Sequence, residues 1–165
     1  MAAGSTYTPI ATQTLGSAAA SVTFSSISGS YTDLVLILNA SGSTGINVLM
    51  QFNGDTGTNY SSTTLGGSGT TAYSARFSNQ TSIEINYEGY LDSGFNTNSI
   101  INIQNYSNST TYKTTLDRFN NAGLGVDAVV GLWRNTAPIT SVVLKTHTGT
   151  FATGSTFSLY GIAAA

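Results

Sequence analysis

The stretch INVLMQFNGDTGTNYSS, Ile46 to Ser62, decides the class of fold. In its opening segment Ile46, Val48, Met50 and Phe52 fall on one face of an extended chain and Asn47 and Gln51 on the other, with only Leu49 out of step. Side chains alternate across a strand, so this is the pattern of a strand with one buried face. The following NGDTG reads either as a turn or as an oxygen-rich ligand loop. Counted from Asn53, a helix-flanked calcium loop needs glycine at position six and glutamate at position twelve, where the chain has Thr58 and Thr64. A phosphate loop closes on Lys-Ser or Lys-Thr, and the first lysine of the chain is Lys113. Asn-Gly and Asp-x-Gly suit a tight β-connection instead, because Asn and Gly tolerate positive φ and an Asp carboxylate can hold the turn. Asn53, Gly54, Asp55 and Gly57 are therefore expected to shape backbone.

The alternation recurs along the chain. SIEINYE, Ser82 to Glu88, places Ile83, Ile85 and Tyr87 inward and Glu84, Asn86 and Glu88 outward. DLVLILN, from Asp33, and DAVVGLWR, from Asp127, are nearly continuous apolar runs, expected of central strands covered on both faces, with Gly131 marking a close approach or bend. Further strands are expected at Ser21 to Phe24, Ser99 to Gln104, Thr110 to Leu116, Ile139 to Thr146 and Thr156 to Ile162, and a short helix around Leu116 to Asn121. Turn signals such as NASGSTG, LGGSGT and NNAGLG separate them. Roughly eight to ten short strands at this spacing predict an all-β fold, an antiparallel β-sandwich of jelly-roll type. Residues 1–20 are polar and alanine-rich and read as an extended N-terminal arm, leaving one sandwich domain over 21–165.

Composition narrows the function. Charged residues are 7% of the 165, against an ordinary share of about 25%, and the formal net charge is -2. That leaves no electrostatic footprint for nucleic acid and no polybasic segment for a membrane surface. The chain has no cysteine, hence no disulfide framework and no thiolate zinc site. MAAGSTYTPI lacks the basic and apolar regions of a secretory signal, so synthesis in a cytoplasm is expected. Charges, lysine above all, are what β-proteins use to keep strand edges from pairing with neighbours. Their scarcity here predicts edges and faces covered by partner subunits.

No chemical constellation assembles from the residue pattern. His147, in KTHTGTF, is the single histidine, with no clustered carboxylates for a metal and no placed base–hydroxyl pair. Glu84 and Glu88, four residues apart on one strand, would stand about 13 Å apart, beyond the carboxylate spacing of either glycosidase geometry. The tyrosines and Trp133 suit core and interface better than a sugar platform. No enzyme activity, cofactor or metal is expected. A binding alternative places a glycan on LGGSGTTAYSARFSNQ, with Tyr73 and Arg76 as its contacts.

Four phrases in order, YTPIATQTLGSAAASVTFSSISGSYTDLVLILNA, FNGDTGTNYS, GLWRNTAPITSVVL and FSLYGI, resemble a group of small structural proteins of tailed bacteriophages. The similarity runs over most of the chain and is weakest between about Thr70 and Leu124. The resemblance implies a virion component without enzymatic activity, either a capsid decoration (cement) protein or a tail or fibre protein. It implies that NGDTG is a family turn, that Trp133 packs at a strand end, and that Arg134 bridges to a neighbouring subunit. The expected partners are the major capsid protein and further copies of the chain, as a homotrimer. The expected contacts are Trp133, Arg134 and the arm residues Tyr7, Pro9, Ile10 and Leu15, and the expected location is the virion.

Overall fold

The computed structural model describes residues 6–43, 45–88 and 90–163. Among the described residues there are twelve strands: β1 Tyr7–Thr14, β2 Ser21–Phe24, β3 Asp33–Ala40, β4 Val48–Phe52, β5 Tyr60–Gly67, β6 Ala72–Gln80, β7 Ile83–Glu84, β8 Thr97–Gln104, β9 Lys113–Asn121, β10 Gly125–Trp133, β11 Val142–Thr146 and β12 Thr156–Ile162. They form an eight-stranded sheet of order β1-β12-β3-β8-β9-β10-β5-β6 and a four-stranded sheet of order β2-β11-β4-β7. All the strand pairings are antiparallel.

Setting aside the hairpins β5–β6 and β9–β10 leaves four strands in each sheet. Renumbered in chain order these run 1-8-3-6 and 2-7-4-5, which is the strand order of a jelly roll. The two hairpins are insertions that add themselves side by side to the β8 edge of the large sheet. The core lies between the two jelly-roll sheets, where Phe24, Leu36, Leu38, Met50, Phe52, Leu144, Phe157 and Leu159 are all at most 3% exposed. Each such side chain contributes about 1.5–3 kcal/mol by leaving water.

Four expectations need correction. The arm, as far as the described residues reach, is an edge strand: Tyr7–Thr14 pairs with β12, while residues 1–5 lie outside the described set. Ile10, Ala11 and Leu15 pack against the core, and a register shift between Pro9 and Ala11 accommodates a proline that has no N–H to give the ladder. The pairing partner comes from the far end of the chain, so local composition carries no trace of it.

The short helix around Leu116 is instead the second half of β9, whose residues alternate strictly between buried and exposed. SIEINYE pairs only at Ile83 and Glu84, and Asn86 is fully buried. Its Oδ1 accepts the Val48 N–H at 2.6 Å, so a polar side chain replaces the ladder bond where pairing stops. Finally, β3 and β10 are interior strands of the sheet but are covered on one face only, since Ile37 is 37%, Val126 52% and Val130 51% exposed. Gly131 does mark a close approach: a Cβ there would meet Thr115 Oγ1 and stand 2.8 Å from Ile83 Cγ2.

Candidate interface on the large sheet

The inserted half of the large sheet buries polar side chains among apolar ones and leaves aliphatic side chains exposed. Strand β9 turns Lys113, Thr115, Asp117 and Asn121 inward beside Phe119, with Leu116 outward; β5 turns Ser62 and Thr64 inward beside Tyr60, with Leu65 outward; the adjoining β8 turns Thr97 and Ser99 inward ahead of Ile101 and Ile103, with Ile100 outward. The inward side follows from what covers it. The jelly-roll half faces apolar side chains of another sheet, but the insertion faces the loop that follows β7, whose backbone groups need partners. Asp127 Oδ2 accepts the N–H groups of Tyr87 at 2.8 Å and Glu88 at 3.1 Å, and Asn121 Nδ2 donates to the Tyr90 carbonyl at 3.1 Å. Asp117 Oδ1, Ser62 Oγ, Thr64 Oγ1 and Ser99 Oγ in this layer have no hydrogen-bond partner among the described residues. Burial pushes the Asp117 carboxyl well above its usual 3.8, against a weak opposing bond from Thr115.

The outward side is fixed by register. Ile37, Ile100, Arg118, Ala128 and Leu65 stand opposite one another across five strands, and Val35, Asn102, Leu116, Val130 and Thr63 form the next row. Of these, Leu65 is 64%, Ile100 43% and Leu116 45% exposed. The β5, β8, β9 and β10 members of the two rows form the floor of a shallow hollow of about 590 Å³, while Val35 at the β3 end is buried. A mostly polar rim borders it, Asn39, Asn98 and Asn120 on one side and Gln104, Thr114 and Ser61 on the other, interrupted on β10 by Val126 and Leu132. An aliphatic centre with a polar rim is the anatomy of a protein interface, and monomers rarely leave such a patch open without a use for it.

The residues singled out from sequence lie elsewhere. Asn53 and Gly54 have φ of 52° and 66°, and the Asp55 N–H donates to the Phe52 carbonyl at 2.9 Å, which closes a tight turn with both central residues left-handed. The turn is not a hairpin, because it carries the chain from β4 in the small sheet to β5 in the large one. Asp55 accepts from Trp133 Nε1 at 2.7 Å, Asn59 Nδ2 at 2.9 Å and the Gly57 N–H at 2.8 Å. Burial works to raise the Asp55 pKa, but these three donors outweigh it and hold the carboxyl below the usual 3.8. Tyr60, whose hydroxyl lies among the Phe52 and Asp55 backbone groups, is pushed up to about 12, chiefly by burial.

Trp133 is 1% exposed, stacked on Tyr60 with ring centroids 6.2 Å apart, and so belongs to the core rather than to an interface. Arg134 donates to Ser61 Oγ, the Thr58 carbonyl and Asn79 Oδ1, at 2.6–2.9 Å, all within its own chain. Tyr7 stands on edge strand β1, 53% exposed, with its ring edge-on to Tyr160. Pro9 is exposed beside it, while Ile10 and Leu15 face the core. Tyr73 and Arg76 lie on β6, not on a loop, and on opposite faces of it. The Tyr73 hydroxyl donates to buried Asp127, whereas Arg76 points outward toward Thr63 at 3.3 Å. They cannot grip one glycan together.

Glu84 and His147 share a smaller hollow of about 250 Å³ with Ser82 and Gln80. Burial raises the Glu84 pKa, opposed by the bond from Asn47 and by His147. The imidazole makes no hydrogen bond to Glu84 or Ser82 among the described residues, so no nucleophile–base pair is assembled.

What sequence reading missed is the outward set Ile37, Leu65, Ile100, Leu116, Arg118, Val126 and Val130. A signal was present in TNSIINIQ, where strict alternation puts Ile100 on the face of Asn98 and Asn102. No family model, curated protein or solved structure matches the chain, so the functional reading rests on the geometry above and on the resemblance of its phrases.

Proposed function

We propose that the chain is a non-enzymatic structural protein of a bacteriophage virion, in particular a decoration (cement) protein seated on the head. The observation that carries this reading is the outer face of the insertion: Leu65, Leu116, Val126 and Val130, with Ile100 beside them, are left exposed together, and such a face is built to be covered. The jelly roll, a fold used by viral capsid domains, agrees with that reading, as does the resemblance to phage structural proteins. Its mechanism is mass action. A protein that binds only the assembled shell stabilises that state by RT ln(1 + [L]/Kd), about 2.7 kcal/mol per site at a hundred times Kd. The partners are the shell protein and further copies of the chain, a homotrimer. Self-association has a candidate route in β6, a nine-residue edge strand whose residues are mostly exposed. Residence on a tail or fibre tip is the competing location, but the glycan contact drawn for it, Tyr73 with Arg76, is split across two faces of a strand.

The test is immunogold labelling of purified virions with antibody raised against the chain. Label over the head supports the decoration role. Label confined to the tail moves the protein to the competing location, and unlabelled virions overturn the reading.

A further inference from the structure

We infer that the aliphatic face of the large sheet seats a segment of the shell protein that presents a carboxylate among apolar side chains, and that Arg118 selects it. The inference rests on the reading of the chain as a shell-bound protein.

Arg118 stands in the middle of the aliphatic floor, between Ile100 and Ala128 across the ladder and one outward position from Leu116 along its own strand. Its side chain is exposed, and its guanidinium makes no hydrogen bond or ion pair among the described residues. Arg76, opposite Thr63 in the neighbouring row, is the second cation of the face. The side chains that point outward from β5, β6, β8, β9 and β10 include these two arginines and no carboxylate. The acids of those strands, Asp117 and Asp127, point inward and are 3% and 0% exposed.

Covering the face removes Arg118 from water, and a desolvated guanidinium is costly unless an anion meets it. A second copy seated face to face on a two-fold axis through the hollow would set Arg118 against its own symmetry mate, and the outward acid of β3, Asp33, lies at the border with its Oδ1 already accepting the Asn105 N–H. An aspartate or glutamate flanked by apolar residues matches both the floor and the charge. The planar guanidinium also takes a carboxylate through two parallel hydrogen bonds, which fixes the segment's register.

The experiment uses phage heads freed of this chain, to which purified full-length chain is added back and co-sedimented. The chains compared are wild type, Arg118→Glu, Arg118→Lys and a control, Lys145→Glu on the small sheet. Sedimentation of each free chain gives its mass, and melting confirms its fold. Wild type and control are expected to bind alike, Arg118→Glu about 100-fold more weakly, and Arg118→Lys in between, all with the same free mass. Equal binding by a folded Arg118→Glu would overturn the inference and leave the shell reading standing. A free mass that changes with Arg118 would assign the face to a second copy and overturn it as well. Wild type that fails to bind heads at all sinks the shell reading, and the inference with it.

Discussion

Asp117 is the residue whose chemistry is most at odds with its surroundings. Its neighbours on the inward face are Thr115 and Phe119 along the strand and Ile101 and Val129 across it, and none of these is charged. The nearest acid on that face, Asp127, is occupied by Tyr73, Tyr87 and Glu88. Burial therefore keeps Asp117 protonated far above its usual 3.8. Because the folded pKa lies above the unfolded one, the contribution is fully present below 3.8 and is lost as pH rises toward the folded pKa. Asp117→Asn is accordingly expected to melt higher than wild type at pH 7, with the difference closing below about pH 4. Melting curves across that range check it, and a gap that stays constant with pH would count against a titrating Asp117. Asp55 runs the opposite way: its depressed pKa stabilises above 3.8 and the benefit fades in acid. Trp133→Phe removes the indole donor and part of a fully buried ring, for an expected loss of about 2–4 kcal/mol by denaturant titration at pH 7, smaller at pH 3, where the hydrogen-bonded share fades.

At the scale of elements, two predictions follow from strands that sequence described incompletely. Gly131 lies in β10 directly opposite Thr115 of β9, with Ile83 of β7 pressed over it. Gly131→Ala forces a methyl into that contact and is expected to cost about 1–3 kcal/mol. Pairing it with Thr115→Ala should return part of the loss, and strict additivity would show that the clash lies elsewhere. The first strand is the second case. Deleting residues 1–14 strips Ile10 from the core and leaves β12 as an open edge. The expected result is a melting point lower by roughly 5–10 °C and concentration-dependent association, read by calorimetry and light scattering. A detachable arm would leave the melting point unchanged. Strand identity was legible wherever the period of two coincided with apolarity, as in VTF at β2 and TFSLYGI at β12, both of whose bounds agree with the sequence reading. It was illegible in β1 and the second half of β9, where polar and small residues carry the strand and long-range pairing decides its state.

At the scale of the whole molecule, the protein is a jelly roll with one sheet doubled in width, and the added half is stabilised inside by hydrogen bonds while leaving aliphatic side chains outside. The free chain is therefore expected to bind a hydrophobic dye while fully folded. Val130→Asp, at a position 51% exposed, should reduce that dye binding severalfold while changing unfolding free energy by no more than about 0.5 kcal/mol. Dye fluorescence and denaturant titration on the same samples separate the two, and unchanged fluorescence would place the bound dye elsewhere. The candidate face was the least legible feature in the sequence. Ile100, Leu116 and Val130 look like ordinary core residues until the register shows that they share the solvent side with Asn98, Arg118 and Asn120.

The sequence by itself determined the β-class, most of the strands, the Asn53-Gly54 turn and the close approach at Gly131, because alternation and backbone permissiveness are local properties of a chain. Only the tertiary structure decided that the turn crosses between sheets, that the N-terminal segment completes an edge, and which face of β9, β10 and β5 meets solvent. Those outcomes depend on what lies against each face. Where a loop covers the insertion, Asp127, Asn121 and Thr97 are drawn in to meet its backbone, which no local pattern of the sequence announces.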